Sequence, residues 1–259
     1  MIRLTIDGRR VESRNGEHLL GLARKAGIEI PTLCHHEAVE PAGACRLCMV
    51  EITRPQWNGW SKLVTACLYP AEDGLIVRTG TERVLRTRRE VLELLLARSP
   101  RAEAVRRLAA QHGIVEPKYT VDEEGDNCIL CDICTRVCAT HVTGAISRVN
   151  RGVAKKVATP FDEASDVCVG CMACARSCPT DAIGVLQQEF KRTIWDKEFD
   201  LVPCTACGAP TVTKEQARWM AQKKGVAEQD FYVCDACKVA KAGQACRKVM
   251  WGSEGLDGR

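Results

Sequence analysis

The run Cys128, Cys131, Cys134, Cys138 sets four thiols in eleven residues as C-x2-C-x2-C-x3-C, and the run returns forty residues later as Cys168, Cys171, Cys174, Cys178. The repeat constrains the chain more than anything else in it. A chain of 259 residues with only 5% aromatic residues is poorly supplied for one large apolar core, so small modules held by something other than burial are expected. Its 17 cysteines supply that something.

Thiols at this density are either disulfides or metal ligands. Disulfide proteins are normally exported behind an apolar leader, whereas "MIRLTIDGRRVESRNG" alternates apolar and polar residues. The most apolar stretch, "VLELLLA", is short and carries a Glu, so no membrane span is expected. Most cysteines stand in C-x2-C pairs, a spacing suited to wrapping an ion. Metal binding in a reducing cytoplasm is the expectation. The formal charge of +4 counts every thiol as neutral. Four metal sites of four thiolates would add about −8 and bring the chain to about −4, which argues against a nucleic-acid partner. The "TERVLRTRRE" stretch reads as a solvated helix face with i,i+4 pairs.

A C-x2-C-x2-C-x3-C run followed by Pro is the ligand pattern of bacterial ferredoxins that hold cubane [4Fe–4S] clusters. Three thiolates bracket one cluster on a tight loop, and the fourth, on a following helix, reaches the other cluster. Cys128, Cys131, Cys134 and Cys178 are therefore assigned to one [4Fe–4S] cluster, and Cys168, Cys171, Cys174 and Cys138 to its mate. The second copy has the expected Pro179, where the first has Ala139. Two zinc knuckles would take their ligands in pairs, not as a repeated three-plus-one run.

Upstream, Cys34, Cys45, Cys48 and Cys67 are spaced C-x10-C-x2-C-x18-C. A long loop folded over a metal centre, with a last ligand from a distant strand, is the logic of plant-type [2Fe–2S] ferredoxins. His35 and His36 read as loop residues, because four Cys already saturate two irons. Residues 1–80 read as a β-rich domain, with "RLTID" and "RRVES" as a hairpin across Asp7-Gly8. A short helix in "NGEHLLGLARKAG" ends at Gly27, and "CMVEIT", "KLVTAC" and "GLIVRT" are further strands.

Residues 81–118 have no cysteine and read as two helices broken at Ser99-Pro100. Residues 119–190 hold the repeat, and residues 191–259 form a tail with a Gly-rich, frayed end, "GSEGLDGR". Cys204, Cys207, Cys234 and Cys237 suit a tetrahedral four-cysteine zinc ribbon, with an iron site as the other reading. Thr213 and Gln216 are placed as a capping box between the two pairs. Cys246 is the odd thiol, read as free or as a substitute ligand in the tail.

"IPTLCHHEAVEPAGACRLCMVEI", "TACLYPAEDGLIVRT" and "RREVLELLLA" resemble the N-terminal iron–sulfur region of the large complex I subunit. They are similar also to the small diaphorase subunit of NAD-reducing hydrogenases and to iron-only hydrogenases. The resemblance runs in order from residue 1 to about 190. It implies an α+β chain: a β-grasp [2Fe–2S] ferredoxin domain, a helical spacer, a two-[4Fe–4S] bacterial ferredoxin-like domain and a small four-cysteine ribbon tail. The tail resembles the C-terminal extension of ferredoxin-like subunits in formate hydrogenlyase complexes. In the complex I and hydrogenase family that residues 1 to about 190 resemble, one His and three Cys after the "REVLELLLA" helix hold a further cluster. Here Ser99 stands at the place of the His with no Cys nearby, so that cluster is expected to be absent, and His112 reads as a helix-end residue.

No Gly-rich dinucleotide fingerprint, phosphate loop or HExxH occurs. The function expected is therefore electron relay, without a catalytic residue, in a cytoplasmic hetero-oligomeric oxidoreductase. Its partners would be a flavin/NAD-binding or ferredoxin module and a catalytic subunit of hydrogenase or formate dehydrogenase type. A free-standing polyferredoxin is the alternative, and a metal-stabilised scaffold or nucleic-acid-binding protein is an alternative of another class.

Overall fold

The computed structural model describes every residue except 15, 124 and 252–259, and no side chain from 247 to 251. The Gly-rich end expected to fray lies outside the described residues. The chain forms two compact units: Met1–Ala158 with Ala173–Ile183, and Thr159–Met172 with the chain from Gly184 onward. The second cysteine run is thereby divided, with Cys168 and Cys171 in the latter unit and Cys174 and Cys178 in the former.

In the first unit, β1 (Ile2–Ile6) and β2 (Arg9–Ser13) pair antiparallel. Asp7 and Gly8 make the turn with φ of 46° and 79°, the doubly left-handed geometry that two-residue hairpins favour. The helix α1 (Leu19–Lys25) follows, and Gly27 at φ 70° ends its segment in a left-handed conformation. Strands β3 (Met49–Thr53), β4 (Ser61–Thr65) and β5 (Ile76–Arg78) complete a sheet of order β2-β1-β5-β3-β4, parallel only between β1 and β5. Leu19, Leu20, Leu22 and Ala23 of α1 close over Leu4, Ile6, Val50, Ile52 and Val77 of the sheet. Each Leu or Ile so buried contributes about 1.5–3 kcal/mol. Cys48 and Cys67 belong to the same core, just before β3 and just past β4.

The Cys-free segment forms α2 (Glu82–Arg98), capped by Thr81 whose Oγ1 accepts from the Val84 amide, and α3 (Glu103–Gln111). The break falls at Ser99-Pro100, as the sequence predicts. Arg88 of α2 donates to the Met49 carbonyl, tying the helix to β3. Then come α4 (Ile133–His141), the hairpin β6 (Ser147–Val149) and β7 (Lys156–Ala158), and α5 (Ala173–Arg176), which packs on α4.

The second unit is more regular than its cysteine content suggests. Strands β8 (Leu186–Gln188), β9 (Lys191–Ile194), β10 (Lys197–Pro203) and β11 (Pro210–Thr213) form an antiparallel sheet in the order β11-β10-β9-β8. Helices α6 (Lys214–Lys224) and α7 (Asp235–Trp251) follow. Thr213 caps α6 as predicted, its Oγ1 accepting from the Gln216 amide at 3.0 Å.

Candidate metal centres

In the first unit Cys34, Cys45, Cys48 and Cys67 are all buried, the most exposed at 4%. Their thiols fall into two hydrogen-bonded pairs, Cys34 with Cys45 and Cys48 with Cys67. Two irons that each take two thiolates need that partition. The bond from Cys45 holds the Cys34 thiol down to about 6, helped by the Cys45 and Ala44 amides. The Cys67 bond likewise lowers Cys48 to about 7, while the same bonds and burial raise Cys45 and Cys67. The tight loop between Cys45 and Cys48 carries Arg46 at φ 59°, and Leu33 N–H donates to Cys45 Sγ at 3.4 Å. His36 Nδ1 lies 3.2 Å from the Ala38 amide that donates to it, and His35 Nδ1 lies 3.5 Å from an Arg24 nitrogen. Loop contacts therefore occupy both rings.

Cys128, Cys131, Cys134 and Cys178 also lie within that unit. Burial is the main force raising Cys128, and it pushes Cys131 and Cys134 up to about 12. The charge of Cys178 adds to the rise in all three thiols. Thiols that resist ionisation in an apolar setting suit a cationic metal core, which deprotonates its ligands outright. Leu130 and Asp132 take φ of 52° and 61°, winding the loop tightly.

Cys34 and Cys45 share an apolar core with Cys131, Ile129, Ile133 and Val137. Arg136, on α4, spans the two sets. Its guanidinium donates to the Cys34 carbonyl at 2.9 Å, the Cys131 carbonyl at 3.3 Å, the Asp132 carbonyl at 3.1 Å and the Glu40 carbonyl. Arg98, the last residue of α2, donates to the Cys128 carbonyl at 2.7 Å. Neither arginine stands out in the sequence, because their partners lie up to 102 residues away.

Cys168 and Cys171 sit on a loop of the second unit whose Gly170 and Met172 take φ of 64° and 63°. These positions are forty residues on from Leu130 and Asp132, so the repeat holds in the backbone as well as in the cysteines. Cys174 lies on α5 and Cys138 on α4.

The tail cysteines converge. The sulfurs of Cys204, Cys207, Cys234 and Cys237 all lie within 4.8 Å of one another. Amides of Ala206 and Cys234 donate to Cys204 Sγ at 3.4 and 3.3 Å, and the Cys237 amide donates to Cys234 Sγ at 3.4 Å. Those amides, Cys234 first, hold the Cys204 thiol down to about 6, while its thiol neighbours push Cys237 up to about 12. A compact set of four sulfurs with amides aimed at them fits a tetrahedral ion. Cys246 is exposed on α7.

Ser99 is fully buried, its Oγ without a hydrogen-bond partner among the described residues, and His112 ends α3 with Nδ1 on the Leu108 carbonyl. Among the described residues no helix is long and apolar enough to cross a membrane.

A buried, paired thiol set and a repeated cysteine run on mixed α+β scaffolds fit an iron–sulfur protein of ferredoxin type. Residues 1–82 match the 2Fe-2S iron-sulfur cluster binding domain family and residues 127–182 the 4Fe-4S dicluster domain family. A subunit of the NADP-reducing hydrogenase of Solidesulfovibrio fructosivorans is 34% identical over 190 residues, 62% of this chain and 32% of the relative. The alpha subunit of NADPH-Fe(3+) oxidoreductase from Geobacter sulfurreducens is 33% identical over 183 residues, 61% and 21% of the two chains. One chain of the NADH-quinone oxidoreductase of Rhizobium meliloti is 41% identical over 100 residues, 39% and 11%. The chain thus spans a third or less of the length of these curated relatives. A chain in the crystal structure of NAD+-reducing [NiFe]-hydrogenase in the H2-reduced state shares the fold, with a TM-score of 0.61 at 24% identity over 87% of this chain and 99% of that one. The chain thus carries a 2Fe-2S iron-sulfur cluster binding domain and a 4Fe-4S dicluster domain, and over about three-fifths of its length it is similar to these hydrogenase and oxidoreductase subunits.

Proposed function

We propose that the chain is the electron-transfer subunit of a multisubunit NAD(P)-linked oxidoreductase. It would carry a [2Fe–2S] cluster on Cys34, Cys45, Cys48 and Cys67, and a [4Fe–4S] cluster on Cys128, Cys131, Cys134 and Cys178. A second [4Fe–4S] cluster would take Cys168, Cys171, Cys174 and Cys138, a pairing supported by the repeat and by the dicluster match. Bound at these thiolates, iron–sulfur clusters accept and release single electrons with little rearrangement.

One observation carries the reading: Arg136 holds the carbonyls of Cys34 and Cys131 together, on two different thiol sets, inside one apolar core. Two redox centres ligated there would be neighbours, with no need for the cluster that Ser99 replaces. The protein's part is to fix that separation, exclude water and place a permanent positive charge beside both ligand loops. The tail quartet is proposed to hold zinc, since four cysteines in two C-x2-C pairs form a closed, redox-inert structural site. The partners proposed are a flavin/NAD(P)-binding subunit and a catalytic subunit of hydrogenase type, as the relatives' names suggest, or of formate dehydrogenase type.

The test is anaerobic affinity purification from the native source, with metals quantified and bound chains identified. Co-purification of a nucleotide-binding and a catalytic subunit, with ~10 Fe and ~1 Zn per chain, is expected. A monomer would overturn the subunit reading, and ~14 Fe without zinc would overturn the tail assignment.

A further inference from the structure

The hairpin β9–β10 turns through Trp195 and Asp196, both left-handed at φ 54° and 56°, and so delivers Lys197 to the segment that precedes and carries Cys168. Lys197 Nζ lies 2.9 Å from the Ser165 carbonyl, 3.2 Å from the Asp166 carbonyl and 3.2 Å from the Cys168 carbonyl. An ammonium has three protons, and these three acceptors take them all. The cation also sits 5.2 Å from the centroid of the Phe199 ring.

The rest of the sheet grips the same loop residue by residue. Thr213 Oγ1, fully buried, donates to the Val169 carbonyl at 2.5 Å while the same oxygen caps α6. Arg192, 4% exposed, donates to the Gly170 carbonyl at 2.8 Å and is steadied by Gln187 Oε1 at 2.8 and 3.0 Å. Phe199, 1% exposed, lies so close to Gly170 that a Cβ there would meet its ring carbons at 2.8 and 2.9 Å. Every backbone carbonyl from Cys168 to Gly170 thus has a side chain from the tail sheet on it, and two of the three donors are cationic.

We propose that Lys197 is a positioning residue for the iron–sulfur centre bound through Cys168 and Cys171, and that the tail sheet is the seat of that ligand loop. The inference rests on reading those cysteines as cluster ligands. A cluster gains negative charge on reduction, and a fixed cation beside its ligand backbone favours the reduced form. Removing the charge therefore lowers the midpoint potential of that centre alone, and loosening the loop makes that centre alone labile. The tail then acts inside the chain, on one redox centre.

The experiment is an EPR redox titration of the holo full-length chain, with iron counted, for the native protein, Lys197→Gln and Lys197→Arg. The native sample is read first: two distinct cubane signals are expected, and a single one would sink the ligand reading itself before any variant is compared. In Lys197→Gln one cubane should titrate at lower potential, with a several-fold fall in its reduced-to-oxidised ratio at the native midpoint, or should be lost selectively. The other cubane and the [2Fe–2S] signal should not move. Lys197→Arg, which keeps the charge, should stay closer to native. No change in any centre of Lys197→Gln, or an equal change in all three, overturns the proposal.

Discussion

The two cysteine runs share their spacing and their left-handed backbone positions, yet they are supported from different places. The loop of the first run is held by arginines on helices α2 and α4: Arg98 on the Cys128 carbonyl and Arg136 on those of Cys131 and Asp132. The equivalent carbonyl of the second run, that of Cys168, is held by Lys197 of the tail sheet. Position 130 is a half-buried Leu, and its counterpart at 170 is a Gly pressed against Phe199. A ligand spacing thus dictates how the backbone winds around a cluster and leaves open which module supplies the surrounding donors.

Exchanging the residues at that one equivalent position is the strongest way to break the comparison. Gly170→Leu should cost about 2–5 kcal/mol, from overlap with Phe199 and Thr213 on top of left-handed backbone strain. Iron analysis should show one cubane lost. The reciprocal Leu130→Gly, at φ 52°, should stay within about 1 kcal/mol of native by thermal unfolding and keep its iron.

Arg136→Gln comes next, at about 2–3 kcal/mol, because part-buried hydrogen bonds from a charged donor are lost on both sides. Its spectroscopic effect should be the complement of the Lys197 variants: the [2Fe–2S] centre and the first-run cubane shift to lower potential, and the second-run cubane does not. A smaller effect, about 1–2 kcal/mol, is expected for Arg98→Gln, read as faster iron release from the first-run cubane alone during chelator challenge.

The smallest effect belongs to the outer face of the tail sheet. Hydrogen bonds from Lys191 first, then Lys214, hold the exposed Asp200 carboxyl down at about 2 from its ordinary 3.8. A depressed carboxylate stabilises the fold above its unfolded value and loses that contribution as pH falls toward the folded one. The small difference in Tm between native protein and Asp200→Asn should therefore be present at neutral pH and fade between about pH 4 and pH 2.

Local signals were legible wherever chemistry or a turn residue forced them. Asp7-Gly8 announced the first hairpin, Ser99-Pro100 the break between α2 and α3, and Thr213 the start of α6. The spacing of the cysteines pointed to the residues that form the paired thiols of 34–67 and the converging tail quartet. The tail sheet was not legible. Its central hairpin turns through Trp195-Asp196, a pair without the Asn-Gly or Asp-Gly signal that such turns usually carry. Charged residues interrupt the apolar alternation of β9 and β10. The loop supports were hidden for a further reason: a Lys or Arg that donates to carbonyls 22–102 residues away looks in sequence like any surface cation.

Translation meets the two loops unequally. When Cys128 to Cys134 emerge, Arg98 is already made and Arg136 follows at once, so the first loop finds its donors nearly as soon as it exists. The loop at Cys168 must wait for Arg192, Lys197, Phe199 and Thr213 to be synthesised and folded into a sheet. A nascent chain halted between the two stages would present one seated ligand loop and one loose one. The order of residues along the chain thereby completes the donors of the first loop before those of the second.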